Sequence, residues 1–408
     1  MNIKLHLSKV KNQKPVIQIT GSKSESNRLL LLQALYPEIE IKNASNSDDS
    51  KVMIKALGSK SDTIDVHHAG TAMRFLTAYF SIQEGRSVTL CGSSRMHERP
   101  IQILVNALIQ LGAKITYLEN DGFPPLKIKG KALTKNKVTL KAHVSSQYIS
   151  ALLLIASKLE NGLELTLEGE ITSMPYIKMT LSLLDEIGIK STFHKNRITI
   201  KPNNQALNTK TLTVESDWSS ASYYYSIVAL SDIDTEIRLT AYKARSLQGD
   251  SVLADIYKAF GVQTTFKNNT ITLKKEAPAS SYIKLDLNNS PDIAQTIAVT
   301  CLGLGLACQL SGLHTLKIKE TDRLMALKNE IEKLGGHIQI TEDSLQLEAT
   351  NKINANINIA TYQDHRMAMA FAPLALKTPI VIEEASVVSK SYPSFWDDLK
   401  HIGFKISK

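Results

Sequence analysis

The most regular feature of the sequence is an amphipathic helix that ends at a glycine and is followed by short strands of alternating apolar and polar residues. The pattern occurs six times, for example in "ILVNALIQLGAKITYLEND" and "LSLLDEIGIKSTFHKNRITI". Glycine commonly takes the left-handed conformation after a last helical turn, and alternation with a period of two is typical of a strand. The glycines that close the six helices are Gly58, Gly112, Gly188, Gly261, Gly335 and Gly403.

The spacing of these glycines predicts the fold class. They are separated by 54, 76, 73, 74 and 68 residues, which is longer than the repeats of solenoid proteins. The pattern therefore predicts one α/β unit used six times, most simply as two domains of three units each. A helix followed by glycine and a strand also occurs in unrelated α/β proteins, and this alternative stays open. Six copies at nearly even spacing favour the repeated unit.

The most apolar run, residues 297–308, is predicted to be a buried core helix. Its 12 residues fall short of the roughly 20 that a membrane-spanning helix needs. The first residues lack the apolar stretch of a secretory signal peptide. We therefore expect a cytoplasmic protein that does not interact with membranes.

The charge balance points to anionic partners. The chain of 408 residues has 48 lysines and arginines against 39 acidic residues, a net charge of +9. It contains no aromatic RNA-binding motif, zinc-finger spacing or dense basic run, so small anions are favoured over nucleic acid. Cys91, Cys301 and Cys308 have no metal-ligand spacing and are expected to be reduced thiols that pack as small apolar residues.

The segment "ITGSKSESNRLLLLQAL" places several hydrogen-bond donors at the start of a predicted helix. A strand ends at Gly21, and the leucine run indicates a buried helix. Free N–H groups and the positive end of the helix dipole stabilise an anion there, and Lys23 and Arg28 add two charges. Ser24 and Arg28 are four residues apart and share a helical face. The alternative is a serine-capped helix whose cations are only solvated.

Further segments along the chain also place cations near predicted helix starts. The helix dipole repels a positive charge at this position, at a cost of a few tenths to about 1 kcal/mol. Its repeated occurrence indicates that anions lie between the cations and the helix ends. For any single segment, an ordinary capped helix start is the alternative. The cations concerned are Lys23, Arg28, Arg74, Arg95, Lys319, Arg323, Arg366 and Lys390.

Eleven motifs occur in a fixed order along nearly the whole chain. They are "GSKSESNR", "AGTAMR", "RMHERP", "SSQYISALLL", "SMPYI", "SDWSSASYY", "SLQGD", "PDIAQTIAV", "KIKETDRL", "DHRMAM" and "SKSYPSF". The set resembles the EPSP synthase family of enolpyruvyl transferases. The resemblance implies a two-domain inside-out α/β barrel, each domain built from three βαβαββ units, with the substrates closed between the domains.

The resemblance and the position of the first strand together set the expected domain boundaries. The strand in "NIKLHLSKV" precedes the opening motif and needs partners in the C-terminal half. One domain is therefore expected to contain residues 1–20 and 216–408, and the other residues 21–215. The chain would cross between them near Thr20 and Glu215, where we expect a hinge.

The resemblance also implies which residues bind the two substrates of the family. Shikimate 3-phosphate would be bound by Lys23, Ser24, Arg28, Ser145, Ser146, Ser173, Asp292, Thr315 and Lys319. Phosphoenolpyruvate would be bound by Lys23, Gly70, Arg95, Gln147, Arg323, Arg366 and Lys390. Arg74 and Tyr176 would border these sites.

Three positions depart from the usual family pattern. His68 stands where an asparagine is frequent, and Phe75 stands where a proline is frequent. Thr315 replaces a usual asparagine and could still donate a hydrogen bond to a substrate hydroxyl. These changes bear on inhibitor sensitivity and fine affinity, and they leave the charged groups untouched.

The implied reaction adds the 5-hydroxyl of shikimate 3-phosphate to the central carbon of phosphoenolpyruvate, protonates the methylene and then expels phosphate from the tetrahedral intermediate. Asp292 is the candidate base. Glu320 and Lys23 are candidate acids, and Glu320 would need a raised carboxyl pKa. The alternatives are an N-cap role for Asp292 after Pro291 and an ion pair for Glu320. No metal or other cofactor is expected, because lysines and arginines neutralise the substrate charge, and a monomer is expected.

Two other functions are considered. The related carboxyvinyltransferases that act on UDP-N-acetylglucosamine have Lys-Asn in the opening motif and a catalytic cysteine on a loop. Here Lys23 is followed by Ser24, and Cys91 lies outside any such pattern. A basic nucleic-acid-binding α/β repeat protein is the second alternative. Its binding would weaken steeply with salt, and it would release no phosphate from phosphoenolpyruvate.

Overall fold

The computed structural model describes residues 1–11, 14–141, 145–169, 171, 174–203 and 205–408. The chain divides into two compact units. Unit 1 contains Met1–Thr20 and Glu215–Lys408, and unit 2 contains Gly21–Val214. Glu215, which the sequence analysis placed with residues 21–214, lies in unit 1. Its carboxylate there accepts hydrogen bonds from Trp218 Nε1 and Lys243 N, both at 2.8 Å.

The α-helices of the described residues include two, at 94–97 and 218–230, that the sequence analysis did not predict. In chain order they are α1 (Lys23–Leu35), α2 (Asp48–Gly58), α3 (Gly70–Ser81), α4 (Ser94–His97), α5 (Gln102–Gln110), α6 (Ser146–Ile155), α7 (Met174–Glu186), α8 (Trp218–Leu230), α9 (Leu253–Ile256), α10 (Ala294–Leu304), α11 (Arg323–Lys333), α12 (His365–Phe371) and α13 (Phe395–Ile402).

The strands of the described residues are short. In chain order they are β1 (Ile3–Leu5), β2 (Val16–Ile17), β3 (Ile39–Lys42), β4 (Thr63–Asp65), β5 (Ser87–Cys91), β6 (Lys114–Tyr117), β7 (Leu126–Lys129), β8 (Lys137–Lys141), β9 (Leu163–Glu168), β10 (Ser191–His194), β11 (Arg197–Ile200), β12 (Lys210–Thr213), β13 (Glu236–Thr240), β14 (Val262–Lys267), β15 (Thr270–Lys275), β16 (Tyr282–Asp286), β17 (Ala307–Ser311), β18 (Ile338–Ile340), β19 (Leu345–Leu347), β20 (Ile357–Ile359), β21 (Ile380–Ile382) and β22 (Ile406–Ser407).

Unit 1 contains three four-stranded sheets, with strand orders β20-β21-β1-β22, β14-β15-β13-β2 and β16-β17-β19-β18. The N-terminal strand β1 is antiparallel to β21 and β22, with Leu5 opposite Ile380 and Ile406. Strand β2 pairs in parallel with β13. The first residues of the chain thus complete two sheets whose other strands come from the C-terminal half, as expected from the sequence.

The interior of unit 1 consists of helices. Every residue of α8 is buried, as are the first nine residues of α10 and all of α12 except Arg366. Helix α10 packs against both α8 and α12. Strands of the surrounding sheets alternate, for example in β13, where Ile237 and Leu239 are buried between partly exposed neighbours. A helix that is apolar on all sides has to be buried, so the helices lie inside and the sheets outside.

Unit 2 repeats this arrangement around α1, α3 and α6, which pack against one another. Two of its sheets have four strands, in the orders β4-β5-β7-β6 and β10-β11-β9-β8. The third sheet of the described residues has only two, the parallel pair β3 and β12. It therefore departs from the four-stranded pattern of the other sheets.

Two expectations about glycines and helix ends need correction. Gly58 is the last residue of α2, and the cap residue that follows, Ser59, is extended. Gly261 and Gly403, by contrast, are left-handed caps as predicted. The apolar run 297–308 is not one helix. Helix α10 ends at Leu304, because Gly305 takes a φ of +71° and turns the chain into β17. Both segments are apolar because both are buried.

Candidate functional site

Arg323 is the centre of a buried charge cluster in unit 1. It is the first residue of α11, and its side chain is 2% exposed. Its Nη1 donates to Asp292 Oδ1 at 2.8 Å, Nη2 to Glu320 Oε2 at 2.7 Å and Nε to Asp364 Oδ2 at 2.6 Å. Burial alone would lower the pKa of Arg323, but the three carboxylates raise it above its ordinary value. The structure therefore shows Glu320 in an ion pair with Arg323.

Asp292 contacts two further cations. Lys319 Nζ lies 3.5 Å from Oδ1, and Arg366 Nη2 lies 3.5 Å from Oδ2. Burial opposes ionisation of Asp292, but Lys319, Arg366 and Arg323 hold its pKa well below the usual range. Asp292 does not cap a helix, because Ser290 is the N-cap of the short 3₁₀ helix Pro291–Ile293. It is instead the carboxylate at which the three cations meet.

The guanidinium of Arg366 connects this cluster to a second buried acid that sequence reasoning missed. Arg366 Nη2 donates to Ser219 Oγ at 3.2 Å, and Ser219 Oγ donates to Asp250 Oδ2. Burial, reinforced by the negative charge of Asp292, raises the pKa of Asp250 to about 7. The motifs "SDWSSASYY" and "SLQGD" contain Ser219 and Asp250, but neither residue stands out by spacing alone.

Lys319 and Lys390 lie near helix starts, a few residues before the N-cap residues Asp322 of α11 and Ser394 of α13. Each stands at the C-terminal side of a 3₁₀ helix, Lys319 after His314–Ile318 and Lys390 as the last residue of Ala385–Lys390. Both lysines precede the first turn of the α-helix, where the effect of the helix dipole is strongest. Lys390 Nζ donates to the carbonyl of Gln363 at 2.7 Å. The buried Oγ1 of Thr315 has no hydrogen-bond partner within the described part of the chain.

In unit 2, the opening motif begins α1. Ser22 is the N-cap and accepts a hydrogen bond from Glu25 N, and Lys23 is the first helical residue. Lys23 Nζ lies 3.6 Å from Asp49 Oδ2, and its side chain is 19% exposed. The ammonium is thus held at the helix start by a carboxylate from α2. Ser24 is half-buried beside it.

Arg28 is buried and is not a solvated surface cation. Its Nε donates to Thr180 Oγ1 at 2.8 Å and its Nη2 to Ser150 Oγ at 2.9 Å. The guanidinium carbon lies 5.5 Å from the ring centre of Phe75 and 5.8 Å from that of Tyr176. Burial lowers the pKa of Arg28 to about 10. Phe75, one of the departures from the family pattern, therefore supplies an aromatic face to a predicted substrate-binding arginine.

The two arginines of "RMHERP" differ in their surroundings, because only Arg99 lies against the start of α3. The guanidinium of Arg99 covers Gly70, since a Cβ at this glycine would lie 2.6 Å from Arg99 Nη1. The buried Nε of Arg99 finds no hydrogen-bond partner among the described residues. Arg95 instead donates to Glu98 Oε2 at 2.7 Å, and both side chains are largely exposed. Arg74 is buried one turn into α3 and donates to the Gly70 carbonyl at 3.1 Å.

The start of α6 lies next to the start of α3. Ser145 is the N-cap of α6 and accepts a hydrogen bond from Gln147 N, and Ser146 is the buried first residue. Gln147 Nε2 donates to Thr71 Oγ1 at 3.2 Å. The predicted residue Ser173 lies outside the described residues. The structure thus groups the other predicted residues of unit 2 at the starts of α1, α3 and α6, except for Arg95.

Comparison with known proteins gives one consistent family. The family model for EPSP synthase (3-phosphoshikimate 1-carboxyvinyltransferase) matches residues 57–399. A 3-phosphoshikimate 1-carboxyvinyltransferase of Bacteroides fragilis is 48% identical over 397 residues, 96% of each chain. One from Haemophilus influenzae is 35% identical over 436 residues, which cover 98% of this chain and 99% of the relative. The chain belongs to the EPSP synthase family.

Solved structures agree with this family at the level of fold. An EPSP synthase from Acinetobacter baumannii matches with a TM-score of 0.80 and 20% identity over 100% of both chains. An enolpyruvyl transferase from Streptomyces tendae matches with a TM-score of 0.76 and 12% identity, covering 100% of this chain and 98% of the other. The two-unit α/β architecture is therefore that of the EPSP synthase fold.

Neither a metal site nor a membrane helix is found in the part of this EPSP synthase family member that the structure describes. No group of three or more His, Cys, Asp or Glu side chains is placed to hold a metal ion there. No described helix is long and apolar enough to span a bilayer.

The buried carboxylate of Asp250 leads to a prediction about pH. Its pKa rises from an ordinary 3.8 to about 7 on folding, so the folded protein binds more protons between these values and loses stability as pH rises through that range. Asp250→Asn removes this titration and keeps an acceptor for Ser219. Between pH 4 and pH 7, we expect the unfolding free energy of the parent to fall by ~1 to 3 kcal/mol relative to the variant.

Urea denaturation at several pH values measures this difference. Parallel stability curves for the parent and Asp250→Asn would contradict the raised pKa.

Proposed function

We propose that this member of the EPSP synthase family transfers the enolpyruvyl group of phosphoenolpyruvate to the 5-hydroxyl of shikimate 3-phosphate and releases phosphate. The observation that carries the proposal is the cluster of Lys319, Arg323 and Arg366 around Asp292, in a chain 48% identical to a named 3-phosphoshikimate 1-carboxyvinyltransferase. Cations converging on one potential base fit a reaction between two anions. The three free cysteines support a reducing cytoplasmic location. For the oligomeric state, we propose a monomer.

The cations of unit 1 are proposed to bind phosphoenolpyruvate. The buried Nε of Arg366 has no hydrogen-bond partner in the described part of the chain, which leaves a donor for a carboxylate or phosphate oxygen. Arg323 has five N–H groups and uses three for carboxylates, so two remain for substrate. Lys390 Nζ would give up its hydrogen bond to the Gln363 carbonyl and donate to the ligand instead. In unit 2, Lys23, Gly70 and Gln147 are proposed for the same substrate.

Shikimate 3-phosphate is proposed to bind through a largely separate set. Arg28 supports this role because its buried guanidinium is hydrogen-bonded to neutral oxygens, and a phosphate would supply the missing negative charge. The unpartnered Oγ1 of Thr315 suits a substrate hydroxyl. The full proposed set is Lys23, Ser24, Arg28, Ser145, Ser146, Ser173, Asp292, Thr315 and Lys319.

Asp292 is proposed as the base, with Glu320 or Lys23 as the acid. In the structure, Lys319, Arg366 and Arg323 hold the pKa of Asp292 too low for efficient proton abstraction. Substrate anions that engage Lys319 and Arg366 would weaken this hold and raise the pKa of Asp292. Substrate binding would therefore create the base only when both reactants are present. General acid or base catalysis of this kind contributes about 10² to 10⁴ in rate.

The geometry favours Arg99 over Arg95 as the phosphoenolpyruvate-binding arginine of "RMHERP". Arg99 lies against Gly70 with an unpartnered Nε among the described residues, whereas Arg95 is paired with Glu98. Arg99→Lys is expected to raise the KM for phosphoenolpyruvate by about tenfold, because lysine cannot form a planar two-point contact. Arg95→Lys serves as the matched control and is expected to change it by less than about twofold.

Steady-state kinetics at saturating shikimate 3-phosphate makes this comparison. A larger effect for Arg95→Lys than for Arg99→Lys would contradict this assignment and favour Arg95 as the phosphoenolpyruvate-binding residue.

Phosphate release from shikimate 3-phosphate and phosphoenolpyruvate tests the function itself. We expect release by the parent, and a loss of about 10²-fold or more in Lys23→Met and Asp292→Asn, because each change removes a charge proposed to act in the reaction. Lys51→Met and Asp255→Asn remove exposed charges of the same units and are expected to retain activity.

Two outcomes would contradict the proposal. An inactive parent would exclude the function, and unaffected Lys23→Met and Asp292→Asn variants would exclude the assigned roles. Release with UDP-N-acetylglucosamine in place of shikimate 3-phosphate would favour the related carboxyvinyltransferase.

A further inference from the structure

The turn between β20 and α12 contains two consecutive non-glycine residues in the left-handed conformation. Tyr362 has a φ of +52° and Gln363 a φ of +55°. Residues other than glycine and asparagine rarely adopt this conformation, and they keep it where surrounding contacts hold the backbone. Two in succession therefore indicate that specific contacts fix this turn.

Contacts on both sides of the turn fit this requirement. Tyr362 Oη donates to Glu330 Oε1 at 2.7 Å, and Ala360 N donates to Glu330 Oε2 at 3.2 Å. Glu330 is fully buried in α11. On the other side, Lys390 Nζ donates to the Gln363 carbonyl at 2.7 Å. Burial and the neighbouring Glu330 carboxylate raise the pKa of Tyr362, so its phenol stays a hydrogen-bond donor.

The residue that follows the turn controls two arginines of the candidate site. Asp364 Oδ1 accepts a hydrogen bond from Arg366 N at 2.8 Å and so begins α12, and its Oδ2 accepts one from Arg323 Nε at 2.6 Å. Helix α11 carries both Arg323 and Glu330, about two turns apart. The same helix thus contacts the segment at Asp364 through Arg323 and at Tyr362 through Glu330.

We propose that Glu330 and Tyr362 are positioning residues, which hold the left-handed turn so that Asp364 orients Arg323 and Arg366 for anion binding. Among the described residues, the Glu330 carboxylate also pairs with Lys333 Nζ at 2.8 Å, and Tyr362 Oη also accepts a hydrogen bond from Asn329 Nδ2 at 3.4 Å; none of these partners is a proposed substrate-binding residue. The inference rests on the proposed function of the two arginines. A hydrogen bond with only a structural role would change stability and leave substrate affinity unchanged.

Tyr362→Phe tests the proposal by removing a single oxygen atom. We expect the KM for phosphoenolpyruvate to rise by about fivefold, the effect of one ordinary hydrogen bond on an equilibrium. Tyr225→Phe is the matched control, because Tyr225 Oη also forms a hydrogen bond in unit 1, with Thr264 Oγ1 at 2.8 Å. It is expected to lower the Tm by a similar amount and to leave the KM within about twofold.

A second substitution tests whether the hydrogen bond between Tyr362 and Glu330 affects the KM by holding the conformation of the turn. Asparagine tolerates the left-handed conformation better than glutamine does. With asparagine at position 363, the turn should depend less on the hydrogen bond between Tyr362 and Glu330. In the Tyr362→Phe background, we expect Gln363→Asn to return the KM to within about twofold of the parent. An unchanged KM in Tyr362→Phe, or a defect that Gln363→Asn does not correct, would overturn the proposal.

Hydrogen exchange gives a readout that does not depend on turnover. Tyr362→Phe is expected to speed amide exchange in residues 360–371, and Tyr225→Phe is not. If the parent released no phosphate, the proposed function would fail, and exchange would still decide whether Tyr362 holds the turn. Equal exchange in the parent and Tyr362→Phe would overturn the inference independently.

Discussion

The described charge cluster of unit 1 depends on the ion pairs that the buried guanidinium of Arg323 forms with three carboxylates. A buried cation is strongly unfavourable unless charge and hydrogen bonds compensate it. Here Asp292, Glu320 and Asp364 come from three separate segments to one side chain. Satisfying Arg323 therefore also fixes the positions of a candidate base, a candidate acid and the first turn of α12. This arrangement fits electrostatic catalysis, in which charged groups are positioned in advance of the reaction.

Unit 2 accommodates the buried Arg28 in a different way. Arg28 is hydrogen-bonded to Thr180, Ser150 and the Ser24 carbonyl, and two aromatic rings face it. These groups hold the guanidinium without neutralising it, and burial lowers its pKa. Arg323 is thus a charge already balanced by protein, whereas Arg28 is a charge that an anionic ligand would balance. This contrast supports phosphate binding by Arg28, and for Arg323 an organising role in addition to the substrate contacts proposed for its two remaining N–H groups.

The sequence predicted the elements and the family, because helix caps and apolar periodicity are local and the motifs are long. It could not predict contacts between distant segments. Asp250 became visible only through its hydrogen bond with Ser219, 31 positions earlier. Arg95 and Arg99 both lie in one motif, and only the tertiary position of Gly70 separates them. The 3₁₀ helices that end beside Lys319 and Lys390 have no sequence signal as strong as that of an α-helix, so the sequence could not indicate that these two cations lie outside the first turn of α11 and α13.

The forked geometry of Arg323, and not only its charge, holds Asp292, Glu320 and Asp364 around one side chain. The most direct measurement is kcat/KM for phosphoenolpyruvate in Arg323→Lys, which keeps the charge and loses the fork. We expect a fall of about 10²-fold or more, because the three carboxylates lose their common partner. The circular dichroism spectrum should stay that of the parent. A value within about twofold of the parent would contradict the claim.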